Sequence, residues 1–268
     1  MNFVETIAAL KRAGYPDSRV EEKLAQDIVL KAIGESGLRA QITIKGGVVM
    51  AALTKDIRRT TLDLDIDFVR YSLSDESIDE MVRRMNCLSG VTIRRVGDIV
   101  GLKQQDYFGK RIYLSLQDEA GYALQYKLDI GVHANDAISQ TDFEFDLSQV
   151  GLSSVVLQTN SPEQIFVEKL KSLLRLGTIS SRGKDVFDMV YLSNIVDRER
   201  LQMLVAESIY KDEKMFERTG ADIVRRLQRI FSDRQFISLL KNRRFNWLQL
   251  SPEEATAGLL AFVRECVS

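Results

Sequence analysis

Three aspartates alternate with apolar residues between Leu62 and Val69, and this short run constrains the fold more than any other part of the chain. A strand places alternate side chains on opposite faces, so Asp63, Asp65 and Asp67 would share one face while the residues between them enter a core. Aspartate disfavours strands, and like charges on one face repel one another. The run therefore predicts a strand whose acidic face is offset by nearby positive charge.

We expect that a divalent cation balances the negative charge of these aspartates. Mg²⁺ takes oxygen ligands and is usually held by one or two carboxylates together with substrate phosphates. Two such ions, about 3.5–4 Å apart, can activate an attacking oxygen and stabilise a leaving one. We expect Asp63 and Asp65 to bind two Mg²⁺ ions, with Mn²⁺ as a possible substitute, and leave a role of Asp67 open. The alternative is an edge strand with a solvated acidic face.

A further carboxylate, Asp129, lies in a second predicted strand, residues 123–132. Its neighbours Leu128 and Ile130 are apolar, so Asp129 should point to the opposite face. If this strand lies beside the first, Asp129 can complete the metal site. A single aspartate in a strand means little by itself.

Gly46 and Gly47 stand between a predicted strand, residues 41–45, and a predicted short helix, residues 48–53. Glycine lets the backbone approach a ligand closely, and a helix N-terminus favours phosphate. The pair therefore predicts a phosphate-binding turn, although turns use glycine in any case.

The remaining pattern predicts an α+β front half, residues 1–156, and a helical back half, residues 157–268. The front half should also contain helices at 20–36 and 75–86 and a strand at 110–116, with a hairpin turn at 118–121. In the back half, Ser161 and Pro162 are typical of a helix start.

Charged residues mark two helices of the back half. Lys169 lies within an apolar stripe, so it needs an anion, which could be a triphosphate or one of two aspartates, Asp185 and Asp188. These aspartates are three residues apart on one helix, and a direct catalytic role and a structural salt bridge both fit them. Arg182 and Lys184 precede that helix and could hold phosphate oxygens.

Several of these motifs together resemble a known family. Their order is Lys45-Gly-Gly47, Arg59-Thr-Thr61-Leu-Asp63-Leu-Asp65, Lys127-Leu-Asp129, Glu168-Lys169 to Arg175, and Arg182-Gly-Lys184-Asp185 to Asp188. The set resembles the polymerase-β-like nucleotidyltransferase superfamily and, more narrowly, its AbiEii/AbiGii toxin family. The chain departs from many superfamily members in having Gly47 where they have serine.

The resemblance implies a polymerase-β-like core, with a mixed sheet flanked by helices, followed by a helical domain that completes the active site and contacts the acceptor. It implies transfer of a nucleoside monophosphate from an NTP to an acceptor hydroxyl, in relatives the 3′ end of tRNA, by a toxin that an antitoxin protein neutralises. The implied catalytic residues are Asp63, Asp65, Asp129 and Lys169, of which the three aspartates bind metal. The implied nucleotide-binding residues are Gly46, Gly47, Arg59, Thr61, Arg182, Lys184, Asp185 and Asp188.

Charge places limits on an RNA partner. The formal net charge is -1, so RNA contact needs a local basic patch. Residues 225–244 hold seven basic residues and one acidic residue, interleaved with aromatic side chains, a composition that suits RNA. The same pattern also fits core aromatics beside a solvated basic face.

Two other functions stay open: nucleotidyl transfer to a small molecule or a protein hydroxyl, and a non-catalytic nucleotide-binding module. The two cysteines form no CxxC pair, which argues against a disulfide scaffold or a zinc cluster. No apolar run is long enough for a membrane helix, and we expect a cytoplasmic protein.

Overall fold

A computed structural model describes residues 1–59, 61, 63–102, 109–132 and 139–267 of the chain. The chain forms two compact units, Met1–Asn160 and Ser161–Ser268. The first unit is α+β and the second is helical. The predicted division into functional domains, residues 1–156 and 157–268, stays a prediction.

The first unit contains seven strands and four α-helices among its described residues. The strands are β1 (Ile42–Lys45), β2 (Leu64–Phe68), β3 (Val91–Leu102), β4 (Gly109–Asp118), β5 (Ala123–Val132), β6 (Gln140–Phe145) and β7 (Val155–Asn160). The helices are α1 (Phe3–Arg12), α2 (Val20–Glu35), α3 (Gly47–Thr54) and α4 (Asp75–Arg84).

All seven strands belong to one mixed sheet, in the order β3-β4-β5-β2-β1-β7-β6. β2 pairs parallel with β5 and antiparallel with β1, while β1 pairs parallel with β7. This confirms the predicted α+β class with a mixed sheet. β2 is the fourth of seven strands, so the alternative of an acidic edge strand is wrong.

The apolar face of the central strands forms the core of this unit. Leu64, Ile66 and Phe68 of β2 are fully buried, as predicted from the alternation. α2 packs on the same face, where the side chain of Gln26 hydrogen-bonds the hydroxyl of Tyr126. The predicted strand from Leu62 to Val69 is thus observed as β2, while Leu62 lies outside the described residues.

Four elements of the first unit were not predicted: α1, β3, β6 and β7. β3 and β6 are the two edges of the sheet, and most of their side chains are exposed or half-buried. β7 runs across residue 156, and the first compact unit extends to Asn160.

The second unit consists of helices, as predicted for the back half. They are α5 (Pro162–Leu176), α6 (Gly183–Leu192), α7 (Arg198–Val205), α8 (Gly220–Ser232), α9 (Arg234–Leu240) and α10 (Pro252–Val267). The hydroxyl of Ser161 accepts a hydrogen bond from the amide of Gln164, which caps α5 as expected. Within the described ranges, no helix combines the length and the apolar character that crossing a membrane requires.

Close packing of α2 on β7 predicts that Gly34→Ala destabilises the protein. A Cβ at position 34 would lie 2.1 Å from Cγ2 of Val155, a buried side chain. Overpacking of this kind costs about 1–3 kcal/mol, more than the gain of about 1 kcal/mol in helix propensity. We expect a lower free energy of unfolding, measured by urea denaturation followed by circular dichroism.

Gly258→Ala in α10 is the matched control, because no heavy atom lies within 4 Å of its added Cβ. This substitution should raise the free energy of unfolding by about 0.5–1 kcal/mol. Equal stabilisation by both substitutions would contradict the close approach of α2 to β7.

Candidate active site

Four charged residues form one row across the polar face of the sheet. Their strands pair in register, Lys45 of β1 opposite Asp65 of β2, Asp65 opposite Asp129 of β5, and Asp129 opposite Arg111 of β4. Residues opposite one another in a sheet share a face. The sheet therefore brings Asp65 and Asp129 together at its centre, with one cation at each end of the row.

Three of the four carboxylates at the centre of this face form ion pairs. The guanidinium of Arg111 donates two hydrogen bonds to Asp129, at 2.7 and 2.8 Å. Lys127 Nζ lies 2.5 Å from an oxygen of Asp63. The remaining pair, between Lys45 Nζ and Asp67 at 2.7 Å, is nearly inaccessible to solvent, since the Asp67 side chain is 2% exposed.

Asp65 is the fourth carboxylate, and it forms no salt bridge to any residue that the structure describes. Burial raises the pKa of Asp65 to about 6. The charge of Lys45 opposes this increase, whereas the charges of the other three aspartates add to it. Among the described residues, the cluster of Asp63, Asp65, Asp67 and Asp129 thus contains four carboxylates and three paired cations, and the uncompensated charge is concentrated on Asp65.

Gly46 and Gly47 pack directly against this acidic face. Gly46 has a backbone φ angle of +71°, a value that residues with a side chain rarely adopt. A Cβ at this position would lie 2.8 Å from Oδ2 of Asp65. A Cβ at Gly47 would lie 2.8 Å from the hydroxyl oxygen of Thr61. α3 starts at Gly47 and has no side-chain cap, so its first amides point from the turn as potential anion ligands.

A side chain of α2 hydrogen-bonds the segment that precedes β2. Gln26, a buried side chain, donates to the carbonyl of Thr61 at 3.4 Å as well as to Tyr126. Arg59 is 2% exposed, so its side chain is buried. Thr61 thereby lies beside Gly47.

The chemistry of these donors fits a hard divalent cation. Asp65 and Asp129 supply carboxylate oxygens side by side, and the surplus negative charge favours a cation. Within the described ranges, however, no three His, Cys, Asp or Glu side chains form a ready-made metal-binding group. The geometry explains this, because Asp63 and Asp129 are turned toward Lys127 and Arg111.

Lys169 lies in the second unit, between the two aspartates predicted as its partners. Its ammonium is 2.5 Å from Asp185 and 2.9 Å from Asp188. Asp188 is fully buried, and its other oxygen accepts a hydrogen bond from the indole of Trp247 at 3.0 Å. This arrangement matches the structural salt bridge that the sequence left open, and it ties α5 and α6 to the chain's only tryptophan.

Two other basic residues predicted for the site flank the start of α6. Arg182 precedes the helix and is exposed, while Lys184 is half-buried in its first turn. The aromatic residues interleaved in 225–244 differ from the expectation for an RNA surface. Phe236, and Trp247 just beyond this segment, are buried, so they serve the core of the second unit.

The sequence reasoning missed Arg111 and Gln26. Arg111 could have been found only from the exact hairpin register, because the predicted turn at 118–121 sets residue 111 opposite 128, whereas the observed pairing is 111 with 129. No comparable signal exists for Gln26, whose role depends on how α2 lies on the sheet.

Comparison with known proteins identifies one matching family. A family model described as "Nucleotidyl transferase AbiEii toxin, Type IV TA system" matches residues 28–253. No curated protein matches the chain.

Two solved structures are similar to the chain at TM-scores below 0.5. One is an antigenic nucleotidyltransferase-like protein from Paracoccidioides brasiliensis, with a TM-score of 0.40 and 16% identity over 75% of this chain and 93% of that chain. The other is the antibiotic-resistance factor ANT(2'')-Ia, with a TM-score of 0.39 and 15% identity over 69% of this chain and 89% of that chain.

The raised pKa of Asp65 predicts that Asp65→Asn stabilises the metal-free protein at neutral pH. The folded protein binds this proton more tightly than the unfolded chain, so ionisation of Asp65 costs stability as the pH rises from 3.8 through about 6. At pH 7.5, in a chelator, we expect the variant to be more stable by roughly 1–3 kcal/mol, measured by urea unfolding. Near pH 4 the difference should vanish.

Asp142→Asn on β6 is the control, because that side chain is 59% exposed and lies outside the acidic row. Its stability should stay within about 0.5 kcal/mol of the unaltered protein at both pH values. A destabilised Asp65→Asn at pH 7.5 would show that the carboxylate is compensated in the fold.

Proposed function

Because the chain belongs to the nucleotidyl transferase AbiEii toxin family of type IV toxin–antitoxin systems, we propose that it transfers a nucleoside monophosphate from an NTP to an RNA hydroxyl. The acceptor hydroxyl attacks the α-phosphorus, the bond to the bridging oxygen breaks, and pyrophosphate leaves. We assign the 3′ end of tRNA as the acceptor, the cytoplasm as the compartment and an antitoxin protein as the partner that neutralises the enzyme.

One observation carries this proposal: the Gly46–Gly47 turn lies against Asp65, which in turn lies opposite Asp129. The helix start would attract an anionic ligand, but the neighbouring pair of carboxylates would repel it unless a cation lay between them. A triphosphate with divalent ions supplies both charges. The amides at the start of α3 would then hold the triphosphate, and Asp65 would hold the cation beside it.

The carboxylates of Asp63, Asp65 and Asp129 are the residues that would hold Mg²⁺. When bound, Mg²⁺ neutralises phosphate charge and acts as a Lewis acid. Asp129 also lies where it can orient the acceptor hydroxyl and accept its proton. Thr61, held by Gln26, would contact the triphosphate in place of the serine that many superfamily members carry at position 47.

Residues of the second unit are assigned a supporting role. We propose that Arg182, Lys184 and Lys169 offset the charge of the triphosphate, and that Asp185 positions Lys169. Asp188 anchors Trp247 inside the unit, and its contribution to nucleotide binding would be indirect. In this proposal the helical unit, residues 157–268, completes the active site and contacts the acceptor.

Label transfer tests the proposed reaction. The protein is incubated with each α-³²P NTP, Mg²⁺ and total RNA, and the products are separated on a gel. We expect labelled RNA of tRNA size, and a rate that Asp65→Asn and Asp63→Ala each lower about a hundred- to thousandfold, because a principal electrostatic stabiliser is lost. The control Asp142→Asn should retain the rate.

The product distinguishes the other functions. If the label resists RNase and migrates with a small molecule or a protein, the acceptor is a small molecule or a protein and not RNA. Nucleotide binding by calorimetry without any labelled product would favour a non-catalytic module. Full activity of Asp65→Asn would refute the assignment of the acidic row as the active site.

Arg111 yields a separate prediction, because a metal ion must compete with its guanidinium for Asp129. Arg111→Gln removes a pair worth about 1 kcal/mol at this exposure, so Mn²⁺ should bind about fivefold more tightly. The measurement is electron paramagnetic resonance of free Mn²⁺, titrated with protein and a non-hydrolysable NTP analogue.

Arg95→Gln on β3 is the matched control, since Arg95 pairs with Asp79 outside the acidic row. Its Mn²⁺ affinity should equal that of the unaltered protein. An Arg111→Gln variant that is folded but binds Mn²⁺ no better would remove Asp129 from the set of ligands.

A further inference from the structure

A shallow pocket of about 360 Å³ opens on the surface of the second unit. It combines a fully exposed aromatic ring with three guanidinium groups. We call it the Phe216 pocket, and its lining residues are Phe216, Glu217, Asp222, Arg225, Arg226 and Arg229. None of these residues belongs to the active site proposed above.

Phe216 is 94% exposed, the highest exposure of any large apolar side chain that the structure describes. Its segment is nevertheless firmly held. The preceding side chain, Met215, is buried, and Arg218 donates hydrogen bonds to the carbonyls of Tyr210 and Asp212. Lys171 pairs with the carboxylate of Asp212. A braced segment thus holds an aromatic ring in water, a position that a binding partner would explain.

The arginines lie on α8, where Arg225 and Arg229 are four residues apart and project from one side of the helix. Arg229 is exposed and has no carboxylate partner among the residues that the structure describes. Arg226 is half-buried and donates to the carbonyl of Leu174 at 3.2 Å, which fixes its guanidinium at the pocket wall.

The two acids of the pocket are turned toward the protein. Asp222 accepts from the backbone amide and hydroxyl of Thr219 in a capping box and also pairs with Arg225. These bonds lower the pKa of Asp222 to about 2, so it stays committed to the cap. Glu217 is 6% exposed. The accessible charge of the pocket is therefore positive.

We propose that the Phe216 pocket binds a single-stranded segment of the acceptor RNA, an assignment that rests on the proposed function. Unpaired bases stack on exposed aromatic rings, and guanidinium groups bind phosphate oxygens. Two arginines one helical turn apart, about 6 Å along the axis, suit neighbouring phosphates of an extended strand. An acidic protein segment would use the same arginines but would gain little from a solitary flat ring.

Charge in the second unit agrees with this assignment. Residues 161–268 contain eighteen Lys and Arg against fifteen Asp and Glu, while the whole chain has a net charge of -1. The basic side chains of residues 225–244 that follow the pocket are mostly exposed, including Arg234, Lys241, Arg243 and Arg244. These side chains add accessible positive charge to the second unit, which favours RNA.

Fluorescence anisotropy with a labelled, unstructured 16-nucleotide RNA tests the proposal. Phe216→Leu keeps an apolar side chain but removes the ring, and should weaken binding about tenfold. Joint substitution Arg225→Ala and Arg229→Ala should lower the slope of log affinity against log salt by about 1, because phosphate contacts are lost. Phe216 and Arg229 are exposed, so these variants should fold normally, as circular dichroism would verify.

Met203→Ala and Arg200→Ala on α7 are the matched controls, one exposed apolar and one exposed basic residue outside the pocket. Both should bind the RNA like the unaltered protein. Equal affinity of Phe216→Leu and the controls would overturn the proposal. Binding of a poly-glutamate peptide with the same dependence on Phe216 would overturn it in favour of a protein-docking site.

Asp65→Asn separates this inference from the proposed function, because it leaves the pocket unchanged. It should bind the RNA with normal affinity while failing to transfer label. If the unaltered protein transfers no label but Phe216→Leu still weakens RNA binding, the pocket assignment stands and the proposed reaction fails. If label transfer succeeds while Phe216→Leu changes neither RNA affinity nor the KM for RNA, the pocket assignment alone fails.

Discussion

An imbalance of charge at the centre of the sheet governs the first unit. Asp63, Asp65, Asp67 and Asp129 lie together on the polar side of β2 and β5, and in the described part of the chain three cations from β1, β4 and β5 pair with three of them. The apolar face of β2 and its pairing on both sides hold the aspartates in place despite their repulsion. The excess negative charge falls on Asp65, which lies beside the Gly46–Gly47 turn. In the proposed function, the carboxylate that the fold leaves without a salt bridge would hold a cation.

The central elements of the fold could be predicted because burial leaves a periodic pattern in the sequence. β2 and β5 alternate between apolar and polar positions in step with the two-residue period of a strand. In α2 the apolar residues stand at helical spacing, although residues 24–33 are buried on all sides. The edge strands β3 and β6 are held mainly by backbone pairing, which leaves no such pattern. α1 is a different case, since Phe3, Ile7 and Leu10 stand at helical spacing and are buried. Its signal was present in the sequence but was not recognised.

The candidate site divides in the same way. Its aspartates and glycines could be identified because their residue types are unusual for a strand and a helix start. The role of Arg111 could not be predicted from the residues next to it in the sequence, because it depends on the strand register that pairs Arg111 with Asp129. In the second unit, composition suggested a basic and aromatic RNA surface in 225–244. The structure buries Phe236 and Trp247 and exposes Phe216 instead, an orientation that sequence spacing does not reveal.

Crystallography with anomalous scattering from Mn²⁺ tests the central claim most directly. The protein would be crystallised with Mn²⁺ and a non-hydrolysable NTP analogue. The account predicts a manganese peak touching the carboxylates of Asp65 and Asp129, with the triphosphate at the amides that begin α3 and Arg111 displaced from Asp129. Manganese bound elsewhere, with the Arg111–Asp129 pair intact in the nucleotide complex, would contradict it.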